Sequence, residues 1–369
     1  MRRALLLLCA CLLLAGFAWP TGDVALSARL VAPGGTSPLL QHDRIEQAFR
    51  RLPHREGIVA TSAGVDVFWR ALDPGAYRLD YDYRPDDSQR GRMDFNLDFA
   101  VPAPAAGTPR GTVLLLHGWM MDGGSLLPWA LQLAQAGYRT ISLDLRNHGR
   151  SGMAPSGYGT REARDVADVV AALRANGEIE GPLHVMGVSY GAATAIFSAR
   201  ELGMQVEGVV AIESFENAGH AIRDMVPHML HKAPETFAQQ FTHRWLRWRM
   251  DDAALERAIS KAGDTLALPL DGVDVGSALA EVAACVLLVH GSEDEHVPVA
   301  HGRALAAASP RARYIEVPGE DHISLPMRLD LLAPTVIDWL DHAGHQSLPS
   351  RYCPPPLALA QPQPETGHS

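Results

Sequence analysis

The stretch Leu183-His184-Val185-Met186-Gly187-Val188-Ser189-Tyr190-Gly191-Ala192-Ala193 decides the fold. It opens as a short, continuously apolar run, which is how a strand buried on both faces reads. It closes in small residues that continue at helical spacing. Between the two lies Gly-x-Ser-x-Gly. A serine there occupies a strained turn, so the positions two away on either side must be glycine or very small. Gly187 and Gly191 meet that demand. A helix beginning at the serine points its free N–H groups at any anion formed beside it. The pattern in this context is that of a nucleophile elbow; the plain alternative is an ordinary tight strand–helix turn.

Similar apolar runs recur outward from this point, at 112–116, 140–145, 209–212, 285–289 and 314–317. Helical periodicity fills most of the gaps, at 126–136, 161–175, 192–202, 300–308 and 331–342. This alternation predicts an α/β fold with a mostly parallel sheet and helices on both faces. The gap at 213–281 is too long for a crossover and has helical patterns of its own at 218–230, 234–248 and 253–262, so an inserted helical cap is expected at about 215–280.

Upstream, a helix is expected near 40–52. Tyr77, Leu79, Tyr81 and Tyr83, then Met93, Phe95, Leu97 and Phe99, alternate with polar residues. That period of two predicts antiparallel strands, with a hairpin turn at 86–91. These segments make 19–110 an N-terminal extension joining the sheet, ahead of a main domain at 111–345. The prolines after Gln346 mark 346–369 as a disordered tail.

Arg2 and Arg3 precede an apolar run ending near Ala18, too short to span a bilayer comfortably. It reads as a signal peptide over 1–18, cleaved after Ala18. An uncleaved anchor, or lipid on Cys11, are the alternatives. The expectation is export to a periplasmic or extracellular location, with membrane association through this segment if it is retained.

Composition excludes other classes. The 369 residues are 47% hydrophobic and 20% charged, which rules out wholesale disorder. Net charge is −10, from 32 basic and 42 acidic residues, so the basic footprint of a nucleic-acid binder is missing. Four cysteines do not make a disulfide scaffold. Cys285 begins a predicted strand and Cys353 lies in the tail, and the two are expected not to pair.

A serine hydroxyl needs a base held by a third group. In this topology the acid precedes the histidine along the chain. His290-Gly291-Ser292-Glu293-Asp294-Glu295-His296-Val297-Pro298 follows one buried run, and Asp294 is the preferred acid. Glu293 and Glu295 read as solvated neighbours, and Glu213 is the outside candidate. Val317-Pro318-Gly319-Glu320-Asp321-His322 follows the last run and supplies His322 as the base, with Asp321 structural. Of the other histidines, His184 is expected to be packed, His290 to orient a loop and His296 to pack in one. His228 and His231, three apart, lack partners that would make them metal ligands. An oxyanion hole needs two backbone donors. Tyr190 N–H is one. Trp119 N–H in His117-Gly118-Trp119-Met120 is the other, with Gly118 letting the backbone approach. No metal and no organic cofactor is called for.

Together, His117-Gly118-Trp119, Asp144-Leu145-Arg146-Asn147-His148-Gly149-Arg150-Ser151-Gly152, the Ser189 elbow, Asp294 and His322 resemble the α/β-hydrolase fold family over about 111–345. The flavour is similar to serine aminopeptidase-like and monoacylglycerol-lipase-like members. The resemblance implies an eight-stranded, mainly parallel sheet with a cap over the site, and a structural role for the 146–152 loop. It implies a serine hydrolase acting on a small-molecule ester or lipid-like substrate through an acyl-enzyme. Amide or peptide hydrolysis, perhydrolysis and a non-catalytic binding role on the same fold stay open. Phe237, Phe241, Trp245 and Trp248 recur near helical spacing in the cap, as internal packing or as a lipid-facing stripe.

Overall fold

The structure, a computed structural model, describes residues 22–34, 42–77, 108–231, 251–344 and 353–359. Its strands are β1 (Arg55–Ala60), β2 (Asp66–Leu72), β3 (Thr112–Leu116), β4 (Arg139–Leu143), β5 (Leu183–Val188), β6 (Gly208–Ile212), β7 (Cys285–Gly291) and β8 (Ala312–Val317). They form one eight-stranded sheet in the order β1-β2-β4-β3-β5-β6-β7-β8. From β4 to β8 every neighbouring pair is parallel; β1–β2 and β2–β4 are antiparallel.

The helices are α1 (Gly22–Val31), α2 (His42–Arg51), α3 (Leu127–Gln135), α4 (Thr160–Ala175), α5 (Tyr190–Leu202), α6 (Ala218–His231), α7 (Asp252–Leu266), α8 (Val275–Glu281), α9 (Val299–Ala308) and α10 (Leu329–Gly344). Two apolar layers sandwich the sheet, which explains why its central strands are apolar throughout. Leu114, Leu116 and Val185 face a layer built with α4, α5 and α8. Val113, Leu115 and Met186 face the opposite layer, built with α2, α3 and α10. Alternate residues of one strand thus enter separate cores, and neither face is left for water.

Among the described residues the antiparallel edge is built by β1 and β2, which lie within the 19–110 extension. The tyrosine-rich and phenylalanine-rich segments, with the predicted turn at 86–91, lie outside the described residues except for Tyr77. In β2 the alternation is broken by Arg70, which is buried because Glu46 and Glu56 each bond its guanidinium at 2.9 Å. Phe49 lies under the same group at 4.1 Å from the ring centre. The region between β6 and β7 is helical as expected, as α6, α7 and α8. Asp251 and Asp274 cap the last two, accepting from Ala254 N and Ser277 N. The aromatic stripe from Phe237 to Trp248 lies outside the described residues, as does the leader at 1–18. Among the described residues no helix is long and apolar enough to cross a membrane.

The cysteine expectation is overturned. Cys285 and Cys353 form a disulfide, with Cα atoms 5.4 Å apart. Residues 353–359 fold back onto the α10 layer: Cys353 is buried there, Leu359 packs against it, and Arg313 donates to the Cys353 carbonyl. Over those residues the expectation of a disordered tail is also corrected. Enough apolar surface meets the domain to hold an otherwise proline-rich strap.

Candidate active site

Ser189 sits between β5 and α5 with φ 53° and ψ −115°, a backbone conformation an L-residue adopts only under constraint. The constraint comes from both sides. Its N–H donates to the Ile212 carbonyl at 2.8 Å, and its carbonyl accepts from Ala192 N at 2.9 Å. A Cβ at Gly187 would stand 2.0 Å from the Gly191 carbonyl oxygen, and one at Gly191 would stand 2.0 Å from that of Leu116. Strand, turn and helix therefore pack at backbone distance, which only glycine permits.

The three side chains singled out in the sequence come together above the sheet. Ser189 Oγ lies 2.9 Å from His322 Nε2, and His322 Nδ1 lies 2.6 Å from Asp294 Oδ2. A carboxylate only accepts, so Nδ1 carries the proton and Nε2 is free to accept from the serine hydroxyl. Asp294 is buried after β7. Its Oδ1 accepts from His296 N and Val297 N at 2.9 and 2.7 Å. Burial is the largest influence and raises this carboxyl; the positive charge that His322 takes up when protonated opposes it. Hydrogen bonds from His290, His322 and Val297 add to that, and together they hold it well below the ordinary carboxylate range. Asp321 plays the structural part expected of it, accepting from Ile323 N and Ser324 N at 2.9 and 2.7 Å in the turn that carries His322.

The loop after β3 backs onto the serine: a Cβ at Gly118 would lie 3.7 Å from Ser189 Cβ. Trp119 and Tyr190 follow Gly118 and Ser189. Tyr190 N–H is at the first position of α5, where an N–H has no carbonyl of its own helix to bond. The Trp119 indole stacks on Tyr158 at 5.2 Å and meets Tyr190 edge-on at 4.9 Å, so it is a packing element of the loop.

Two imidazoles with fixed tautomers hold that loop. His117 Nδ1 donates to the Gly118 carbonyl at 2.8 Å, leaving Nε2 to accept from Leu145 N at 3.0 Å. His148 Nδ1 donates to the Arg146 carbonyl at 2.8 Å, and its Nε2 accepts from Met120 N at 3.2 Å. Met120 has φ 60°, so this bond supports a strained residue next to Trp119. Burial pushes both imidazoles down, His117 most strongly, and keeps them neutral as these bonds require. The 146–152 loop is structural, as expected: Arg146 forks onto Asp165 at 2.7 and 2.8 Å, both buried.

At three residues the structure goes beyond the sequence reading. His290 donates to the Val297 carbonyl at 2.7 Å and also stands 3.3 Å from Asp294 Oδ2, so it supports the acid as well as its loop. His296 is not simply loop packing: its ring lies 5.3 Å from that of His322 and 4.4 Å from that of His228, linking α6 to the site. His228 also faces Glu295 at 3.2 Å. Glu213, directly after β6, brings its carboxyl to 3.6 Å from His322 Nδ1. Each depends on which loops become neighbours, information carried by strand order and not by local pattern.

Comparison with known proteins agrees with this architecture. The model described as the alpha/beta hydrolase family matches residues 113–335. An uncharacterized protein of Bacillus subtilis, YqkD, is 24% identical over 233 residues, covering 63% of this chain and 71% of that protein. Protein phosphatase methylesterase 1 of Bos taurus is 31% identical over 139 residues, covering 36% of this chain and 35% of that protein, so the chain spans about a third of that relative. An esterase of Pyrococcus furiosus superposes with a TM-score of 0.57 at 15% identity, over 85% of this chain and 96% of that one, a likeness of fold.

Proposed function

Because the chain belongs to the alpha/beta hydrolase family, we propose that it is a serine hydrolase that cleaves carboxylic esters through an acyl-enzyme. The observation that carries this reading is the line from Ser189 Oγ through His322 to Asp294, with both links at hydrogen-bond distance. His322 Nε2 accepts the Ser189 proton as Oγ attacks the ester carbonyl. The oxyanion is held by the N–H groups of Trp119 and Tyr190, aimed in advance by the β3 loop and the start of α5. Asp294 fixes the Nδ1–H tautomer and stabilises the imidazolium. His322 then protonates the leaving alkoxide. Water, giving its proton to Nε2, attacks the acyl-enzyme and releases the acid. No step calls on a metal or cofactor.

Ester over amide is favoured by the methylesterase relative. Export is supported by the leader pattern at 1–18 and by the Cys285–Cys353 disulfide, since such bonds persist in oxidising compartments. N-terminal sequencing of protein from the producing cell checks this; a chain beginning at Trp19 is expected.

The function is tested with p-nitrophenyl esters of increasing acyl length beside aminoacyl p-nitroanilides. Wild-type protein is expected to hydrolyse esters faster than anilides. Ser189→Ala is expected to lose about 10⁶-fold in turnover, as a missing nucleophile does. Ester turnover preserved in Ser189→Ala, or none by folded wild type, contradicts the proposal.

A further inference from the structure

Glu213 is a fully buried carboxyl to which the mechanism above gives no task. It follows β6 with φ 57°, held there by its N–H bonding the Val289 carbonyl at 2.8 Å. Neither carboxyl oxygen has a hydrogen-bond partner. A buried unpartnered carboxyl on a left-handed residue is costly twice over, and such costs collect at functional sites. Its surroundings say which function. Glu213, Asp294 and His322 each place one ligand atom within 4.8 Å of the other two. Oε2 stands 3.6 Å from His322 Nδ1, the same nitrogen that Asp294 holds at 2.6 Å. Gly291 lets the Glu320 backbone approach, since a Cβ there would stand 2.2 Å from the Glu320 carbonyl oxygen, and Oε1 lies beside the same position at 3.3 Å.

We propose that Glu213 is a second carboxyl partner of the His322 imidazole, a positioning residue able to accept the Nδ1 hydrogen bond when Asp294 is removed. The proposal rests on the serine-hydrolase reading. Its charge logic is consistent with the geometry. Burial first, then the Asp294 charge with Asp321 and Glu320, push Glu213 well above the ordinary range, so it keeps its proton while Asp294 is ionised. The groups facing the pair are His290 from β7, Glu320, Asp321 and His322 from the loop after β8, and Arg328, which bonds Glu320. Neutralising Asp294 removes a major cause of that shift. Burial still holds Glu213 up, so it gives its proton to solvent as the pH rises, and the carboxylate then closes a gap of under about 1 Å to reach ordinary N–H···O distance. In the intact enzyme the catalytic proton still travels only between Ser189, His322 and the leaving group.

The test compares Asp294→Asn, Glu213→Gln and the double variant by kcat/KM against pH. Loss of the triad acid typically costs about 10⁴-fold. Asp294→Asn is expected to lose only about 10²-fold, with an acid limb moved to higher pH. The double variant is expected to fall about another 10²-fold and to lose that limb. Equal rates for Asp294→Asn and the double variant at every pH overturn the proposal. Glu213→Met, an apolar replacement, repeats the double variant should the glutamine form not fold, and the same equality overturns it. Fluorophosphonate labelling of Ser189 in wild type separates the two readings. Labelling with equal variant rates refutes only the role of Glu213, while absence of labelling refutes the hydrolase itself.

Discussion

Breaking the disulfide by Cys353→Ala should destabilise the protein by about 4 kcal/mol. The bond joins residues 68 apart, and the loop-closure entropy of a loop that long is about 15 cal/mol/K, or about 4 kcal/mol at 25 °C. The loop is no appendage. It contains Asp294, α9, β8, His322 and α10, so it unfolds with the sheet and the full chain-entropy effect applies. Cys353 is buried against the α10 layer, and alanine keeps part of that contact without adding a polar group. In a chain of this length the change corresponds to a fall in melting temperature on the order of 5–10 °C. Urea unfolding followed by far-UV circular dichroism gives the free energy. Wild type in excess reductant provides the matching measurement, and both samples should lose the same stability. If the variant, reduced wild type and oxidised wild type unfold together, the strap is not bonded as described and the reasoning fails.

Other perturbations probe separate parts. Gly191→Ala should fail to give soluble, active protein, because its Cβ would meet the Leu116 carbonyl oxygen at 2.0 Å; Gly177→Ala, with open space around it and only φ strain, should cost about 1 kcal/mol in a melting assay. Arg146→Met should cost about 3–5 kcal/mol in denaturant unfolding by stranding the buried Asp165, and adding Asp165→Leu should recover most of it. His184 sits inside β5, pushed down to about 4 by burial. The unfolded chain takes up its proton near pH 6.5 and the native state does not, so stability falls with pH between about 6.5 and 4, by about 3 kcal/mol at the lower end. His184→Leu should flatten that part of the melting-temperature profile; an unchanged slope would contradict the assignment.

The parallel half of the fold was legible because burial on both faces writes itself as unbroken apolar runs. The predicted run at 285–289 lies within β7, and that at 112–116 coincides with β3. The antiparallel edge was not, because β2 hides a buried arginine whose partners come from α2 and β1. The Gly-x-Ser-x-Gly elbow was legible as a local pattern, although only Gly187 is dictated by backbone approach within it; Gly191 is dictated by the Leu116 carbonyl of β3. The histidine and acid follow from strand order alone. What stayed hidden are relations between distant loops: the Cys285–Cys353 pair, the ring contact of His296 with His322, and the second carboxyl at 213. None leaves a periodic mark in the chain. Glu213 was at least visible as an acid after a buried run, though nothing local told that it shares His322 with Asp294.

The central claim is that Ser189 is the nucleophile activated by His322. Intact-protein mass spectrometry after fluorophosphonate treatment, followed by peptide mapping, tests it most directly. One adduct is expected, on the peptide containing Ser189, formed far more slowly in His322→Ala and absent in Ser189→Ala. An adduct on another residue, or ester hydrolysis by wild type that proceeds with Ser189 unmodified, would contradict it.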